Sequence, residues 1–247
     1  MINFFRRIRK KMADDNKPLK YARYAIGEIV LVVIGILIAL QINSWNEERK
    51  NKAIEFTYYN LLLQDFNEDQ VFIQKVSDHF NSNVVKYNDY LKKIDRQGVP
   101  IDSNAAFLGD LHWYTTPVRF QSNTINTLQN TGEIKLISPE IRNKLVALKA
   151  LEEVVKERYE YLKKDYTSRV SHATSLTGGG ATYSPNLKNP DFQDYFSDKK
   201  RIIESIMAFQ SVQEIKNLAE LEMLERLEEV REDIDELTRL INSEIKK

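Results

Sequence analysis

The chain has 247 residues, a formal net charge of zero and no cysteine. The missing cysteines exclude disulfides, thiolate catalysis, zinc fingers and iron–sulfur clusters. Eight glycines and six prolines, set against abundant Glu, Lys, Leu and Ile, point to an all-α protein.

The zero net charge hides an asymmetry. Residues 1–24 carry eight Lys or Arg against Asp14 and Asp15, a balance of 8 − 2 = +6. The opening "MINFFRRIRKKM" sets Phe4, Phe5, Ile8 and Met12 among Arg6, Arg7, Arg9, Lys10 and Lys11. That pattern suits a basic amphipathic arm, residues 1–20, lying on an anionic inner leaflet. No basic stripe follows it, so nucleic acid is not an expected partner.

Residues 21–45 read as a transmembrane helix. Ile29 through Leu40 are all apolar or glycine. From Tyr24 to Trp45 a helix rises roughly 30 Å, the thickness of a hydrocarbon core. Tyr21, Tyr24 and Trp45 are the expected interface anchors. No small-x-small site follows the apolar run, so an uncleaved signal anchor is expected. Lys and Arg dominate the first flank, whereas Arg49, Lys50 and Lys52 are balanced by Glu47, Glu48 and Glu55 on the second. The positive-inside rule therefore puts the N-terminus in the cytoplasm and the rest outside.

Glu28 is the odd residue of this span. Near the cytoplasmic edge its carboxylate can reach headgroup water or pair with Lys20 or Arg23. Residues 28, 35, 39 and 42 also share one helical face, and Gly35-x-x-x-Ala39 is a small-x-x-x-small pair that lets helices approach. Glu28, Gly35 and Ala39 are accordingly the expected membrane-helix contact. A ring of Glu28 side chains lining an ion path is the remaining reading.

The run "YAIGEIVLVVIGILIALQINSWNEERK", with the preceding "FFRRIRKK" arm, resembles an uncharacterised family of single-pass membrane proteins abundant in Bacteroidota. "TINTLQNTGEIKLISPEIRNKL", residues 124–145, resembles it more loosely. The resemblance implies a bacterial inner-membrane protein with a helical periplasmic domain, residues 46–247. The family carries the label of a domain of unknown function, so it implies no catalytic residue.

No Gly or Pro occurs between Gly35 and Gly98, so the membrane helix is expected to run on past the bilayer. Tyr59, Leu62, Phe66, Ile73, Val76, Phe80, Tyr87 and Leu91 follow a near-heptad spacing, with Asp69 at the one skipped position. "DSNAAFLGDLHWY" reads as a short helix capped by Asp102 or Ser103. "SNTINTLQNTG" reads as another, between Ser122 as N-cap and Gly132 as C′ glycine. Ser138-Pro139-Glu140 starts a helix with Ile141, Leu145, Leu148, Val155, Tyr159, Leu162 and Tyr166 on its apolar face. Residues 171–190 have the composition of a mobile loop, and Asn189-Pro190-Asp191 restarts a helix that runs to the end. On that last helix Leu227, Val230, Ile234, Leu237 and Ile241 repeat as heptads. Three such seams bury each other in an antiparallel bundle of long coiled-coil-like helices.

Catalytic chemistry is not found. His79, His112 and His172 are isolated, with no His-Glu-x-x-His or Glu-x-x-His pattern. Gly178-Gly179-Gly180 lacks the P-loop spacing, and no Gly-x-Ser-x-Gly elbow occurs. "LHWYTTPVRF", residues 111–120, is either a recognition patch or a loop packed over the bundle end. Segment 124–145 is either a structural corner or a binding surface there. No cofactor and no metal are expected. The expected role is a non-enzymatic scaffold or interaction protein, self-associating and with an unidentified protein partner. A transport or channel subunit using Glu28, or an extracytoplasmic ligand-sensing domain, are the alternatives.

Overall fold

The structure, a computed structural model, describes residues 18–178 and 188–246. Among these residues there are helices and no strands: α1 (Pro18–Ile94), α2 (Ile101–Gly109), α3 (Asn123–Thr131), a 3₁₀ turn (Glu133–Leu136), α4 (Pro139–Ser175), α5 (Pro190–Ser197) and α6 (Lys199–Ile245). The chain divides between Thr57 and Tyr58 into two compact units. In the first, the described chain is α1 alone.

In the second unit the heptad residues of α1 meet those of α4 and α6. Tyr59, Leu62, Phe66, Ile73, Val76 and Phe80 share one core with Ile141, Leu145, Leu148, Val155 and Tyr159. Leu227, Val230, Ile234, Leu237 and Ile241 of α6 complete it. Burying each such side chain contributes about 1.5–3 kcal/mol, and this burial drives the three long helices together.

Polar pairs fix the directions. Asn83 donates to Glu220 and Gln70 to Asp235, so α6 runs antiparallel to this part of α1. Arg158 donates to Glu222 and Lys144 to Glu236, so α6 is antiparallel to α4 as well. Hence α1 and α4 are parallel, and the chain must travel back along the bundle between them, a long crossover connection. The order of contacts traces that return. Leu108 and Leu111 pack with Tyr87 and Tyr90, Gln121 bonds Asp69, Thr124 bonds Asp65, and Glu133 bonds Tyr58. Residues 111–120 therefore run along the flank of the bundle rather than over its end.

Several boundaries follow the sequence signals. Gly132 closes α3 in the left-handed region at φ 72°, Pro139 opens α4, and Asn189 caps α5 by accepting from the Asp191 N–H at 3.0 Å. Others do not. α2 begins after Pro100, which puts Asp102 and Ser103 inside its first turn rather than at its cap. α4 extends to Ser175, past the expected start of the loop at 171. The helix that restarts at Pro190 stops at Ser197, because the Asp198 carboxylate accepts the Arg201 N–H at 3.2 Å and caps a new helix.

Candidate functional site

In the first unit, the apolar residues of α1 from Ile26 to Ile42 are about half exposed or more, as a helix awaiting lipid or a second helix would be. By length and composition α1 carries one candidate membrane span, near the N-terminus. Glu28, Gly35 and Ala39 fall on one face by their helical spacing, and a Cβ added at Gly35 would meet nothing within 4 Å. Trp45 is 63% exposed, with the Arg49 guanidinium 5.8 Å from its ring centre. The side chains of Lys20, Tyr21, Arg23 and Tyr24, and the arm residues Arg6, Arg7, Arg9, Lys10 and Lys11, lie outside the described residues.

In the second unit, two carboxylates of α1 hold the returning chain. Asp69 is 1% exposed and accepts the Gln121 N–H at 2.8 Å. Asp65 accepts the Thr124 N–H at 3.0 Å, so an acid from another helix takes an orphan donor in the first turn of α3. Ser122 stands at the N-cap position without capping; its hydroxyl donates to the buried Glu152 of α4 at 3.1 Å. Burial pushes the Asp69 carboxyl up to about 6 and Glu152 up to about 8, the neighbouring acids adding to both shifts. These acids lock segment 121–124 to α1 and α4, which supports the structural-corner reading of that part of 124–145.

A second buried polar group lies on α6. Lys216 and Glu220, one turn apart on α6, pair at 2.7 Å with each side chain under a tenth exposed, and Asn83 donates to the same Glu220 oxygen at 2.8 Å. Nearby, the rings of His79 and His112 meet edge to face with centroids 4.7 Å apart. The fold thus joins two histidines that look isolated in the sequence. Burial holds the His112 ring below its usual basicity, helped by His79 and Lys216. Among the described residues no group of three or more His, Asp or Glu could hold a metal ion.

A chiefly apolar cleft of about 560 Å³ lies between α2, the end of α4, α5 and the start of α6. Trp113 reaches it from the 111–120 segment and meets Phe209 edge to face at 5.5 Å; Tyr166 fixes the backbone there by donating to the Trp113 carbonyl at 2.7 Å. Only Trp113 of the aromatic-rich run lines the cleft. The other walls come from 105–109, 176–177 and 196–209, and no periodicity links such distant segments. The one sequence hint was the unpaired aromatic character of "LHWY".

Residues 28–99 match a family model described as "Family of unknown function (DUF6090)". No curated protein and no solved structure matches the chain. The matched stretch is part of α1 and the turn after it, and includes Glu28, Gly35, Ala39 and Trp45.

Proposed function

We propose that this chain is a single-pass protein of the bacterial inner membrane, of the kind found in Bacteroidota. Its N-terminus is cytoplasmic and its three-helix unit is periplasmic. The role is that of a non-enzymatic scaffold or interaction module that self-associates through the face bearing Glu28, Gly35 and Ala39. One observation carries the reading: a continuous apolar surface on α1, exposed throughout, with a small-residue stripe and a carboxylate on one side. The hydrogen bonds of the buried acids and the Lys216–Glu220 pair hold helices and the return segment in place.

Cross-linking in native membranes followed by native mass spectrometry tests it. The wild type is expected as an oligomer, and Glu28→Gln with Gly35→Leu is expected to shift it toward monomer. A monomeric wild type with no co-purifying partner would overturn the reading. The cleft favours a second reading, a ligand-sensing domain, because volumes of about 300–1,000 Å³ with apolar walls are typical of ligand sites.

A further inference from the structure

The cleft carries more chemistry than its volume. Its walls are Leu108, Trp113, Ile202, Ile206 and Phe209, with Phe196 at one side. Its polar lining groups are few. The Ser205 and Thr177 hydroxyls donate to the carbonyls of Arg201 and Thr174, each at 2.9 Å, and so are occupied within their own turns. Arg201 is the single charged lining residue.

The state of that guanidinium decides what the cleft accepts. Its Nε is buried and meets no acceptor among the described residues. The Glu204 carboxylate stands 3.7 Å from Nη1, close enough to attract but too far for a hydrogen bond. The Tyr195 ring covers one guanidinium face at 4.0 Å. A stacked guanidinium keeps its edge donors, and those donors match a planar carboxylate in a fork geometry. An uncharged ligand would leave the guanidinium charge unmatched, and a cation would be repelled. A dianion would bring a second negative charge toward Glu204 with no second cation in the described lining to receive it.

We propose that the cleft binds a small apolar molecule ending in one carboxylate, with the carboxylate on Arg201 and the body between Trp113, Ile206 and Phe209. The proposal gives the ligand-sensing reading its chemistry and does not depend on self-association. Two sources share that chemistry: an acyl chain released from the membrane, and a soluble aromatic acid.

Trp45 and Trp113 are the only tryptophans. With Trp45→Phe, the fluorescence of the full chain held in amphipol reports on the cleft through Trp113. The probes are 11-bromoundecanoate, 6-bromo-2-naphthoate and, as the uncharged control, 11-bromoundecanol; the bromine quenches indole on contact. Saturable quenching by at least one acid is expected, with the alcohol about tenfold weaker or more, the scale of a lost charge-assisted contact. Quenching by the chain acid alone assigns a membrane-derived ligand, and by the naphthoate alone a soluble one. Arg201→Gln is expected to reduce acid binding to the level of the alcohol, with Arg201→Lys in between. Ala105→Phe, at an exposed position on the rim, is expected to block binding with helicity retained. No saturable quenching by either acid overturns the proposal, as does equal binding of acid and alcohol by the wild type, which needs no variant to fold. Either failure leaves the scaffold reading intact, because that is read from cross-linked species.

Discussion

The backbone N–H of Gln121 donates to Asp69 across 2.8 Å, and this bond ties the return segment to α1. The second oxygen of Asp69 is buried and meets no hydrogen-bond partner among the described residues. Asp69→Leu removes the acceptor and strands the Gln121 N–H, a loss of about 1–3 kcal/mol. Asp69→Asn keeps an acceptor and eases repulsion from Glu152, so it is expected to cost less than Asp69→Leu. Thermal unfolding followed by circular dichroism ranks the two.

The same cluster sets a pH dependence. Folding raises the Asp69 carboxyl from 3.8 to about 6 and Glu152 from 4.5 to about 8, first through burial. A raised acid contributes stability that is complete below its unfolded value and is lost as pH rises through its folded value. The melting temperature is therefore expected to fall between about pH 4 and pH 8, the upper part of that fall belonging to Glu152. Glu152→Gln should flatten the curve above pH 6. An unchanged slope in that variant would contradict the assignment. Glu222 works in the opposite sense: Arg158, then Arg226, hold it down to about 2, so its stabilisation is lost only as pH falls below the usual glutamate range.

Much of this fold is legible in the sequence. The near-heptad positions from Tyr59 to Tyr87 and from Leu227 to Ile241 are all buried, because one apolar stripe per helix has only one way to leave water. Asp69 shows where that reading stops. Periodicity marks it as a gap, yet it is 1% exposed and bonded to a residue 52 positions away. Ser122 fails similarly: it has the right residue type for a cap, but Glu152 of another helix takes its hydroxyl. Asp198 was readable as a cap and is overlooked because Gly and Pro are absent around it. The cleft was not legible, since its walls are brought together only by the crossover from α1 to α4.

The buried pair of Lys216 and Glu220 offers a sharper energetic test. Removing one partner strands a charge in the core, so Glu220→Ala is expected to cost about 3–5 kcal/mol. Replacing both, as Lys216→Met with Glu220→Leu, should recover much of that loss, leaving the Asn83 amide as the remaining unmatched group. Chemical denaturation of the single and double variants measures the coupling; additive losses would count against a direct pair.

The exposed small residues on the contact stripe of α1 should matter little to the folding of the second unit. Ala39→Leu adds bulk where nothing of the chain itself is packed, so unit stability is expected to stay within about 0.5 kcal/mol of wild type. Oligomer size on native gels should nevertheless change, because close approach of helices needs the small side chain.

The central claim is the anchor and its orientation, and the absence of cysteine makes it directly measurable. Single cysteines are placed at Asn16, before the span, and at Tyr114, which is 78% exposed in the second unit. Each is treated with a membrane-impermeant maleimide in cells whose outer membrane has been opened. Labelling at Tyr114→Cys before lysis, and at Asn16→Cys only after lysis, is the predicted result. Labelling at Asn16→Cys alone before lysis, or of neither position until lysis, would contradict a periplasmic unit on a single membrane helix.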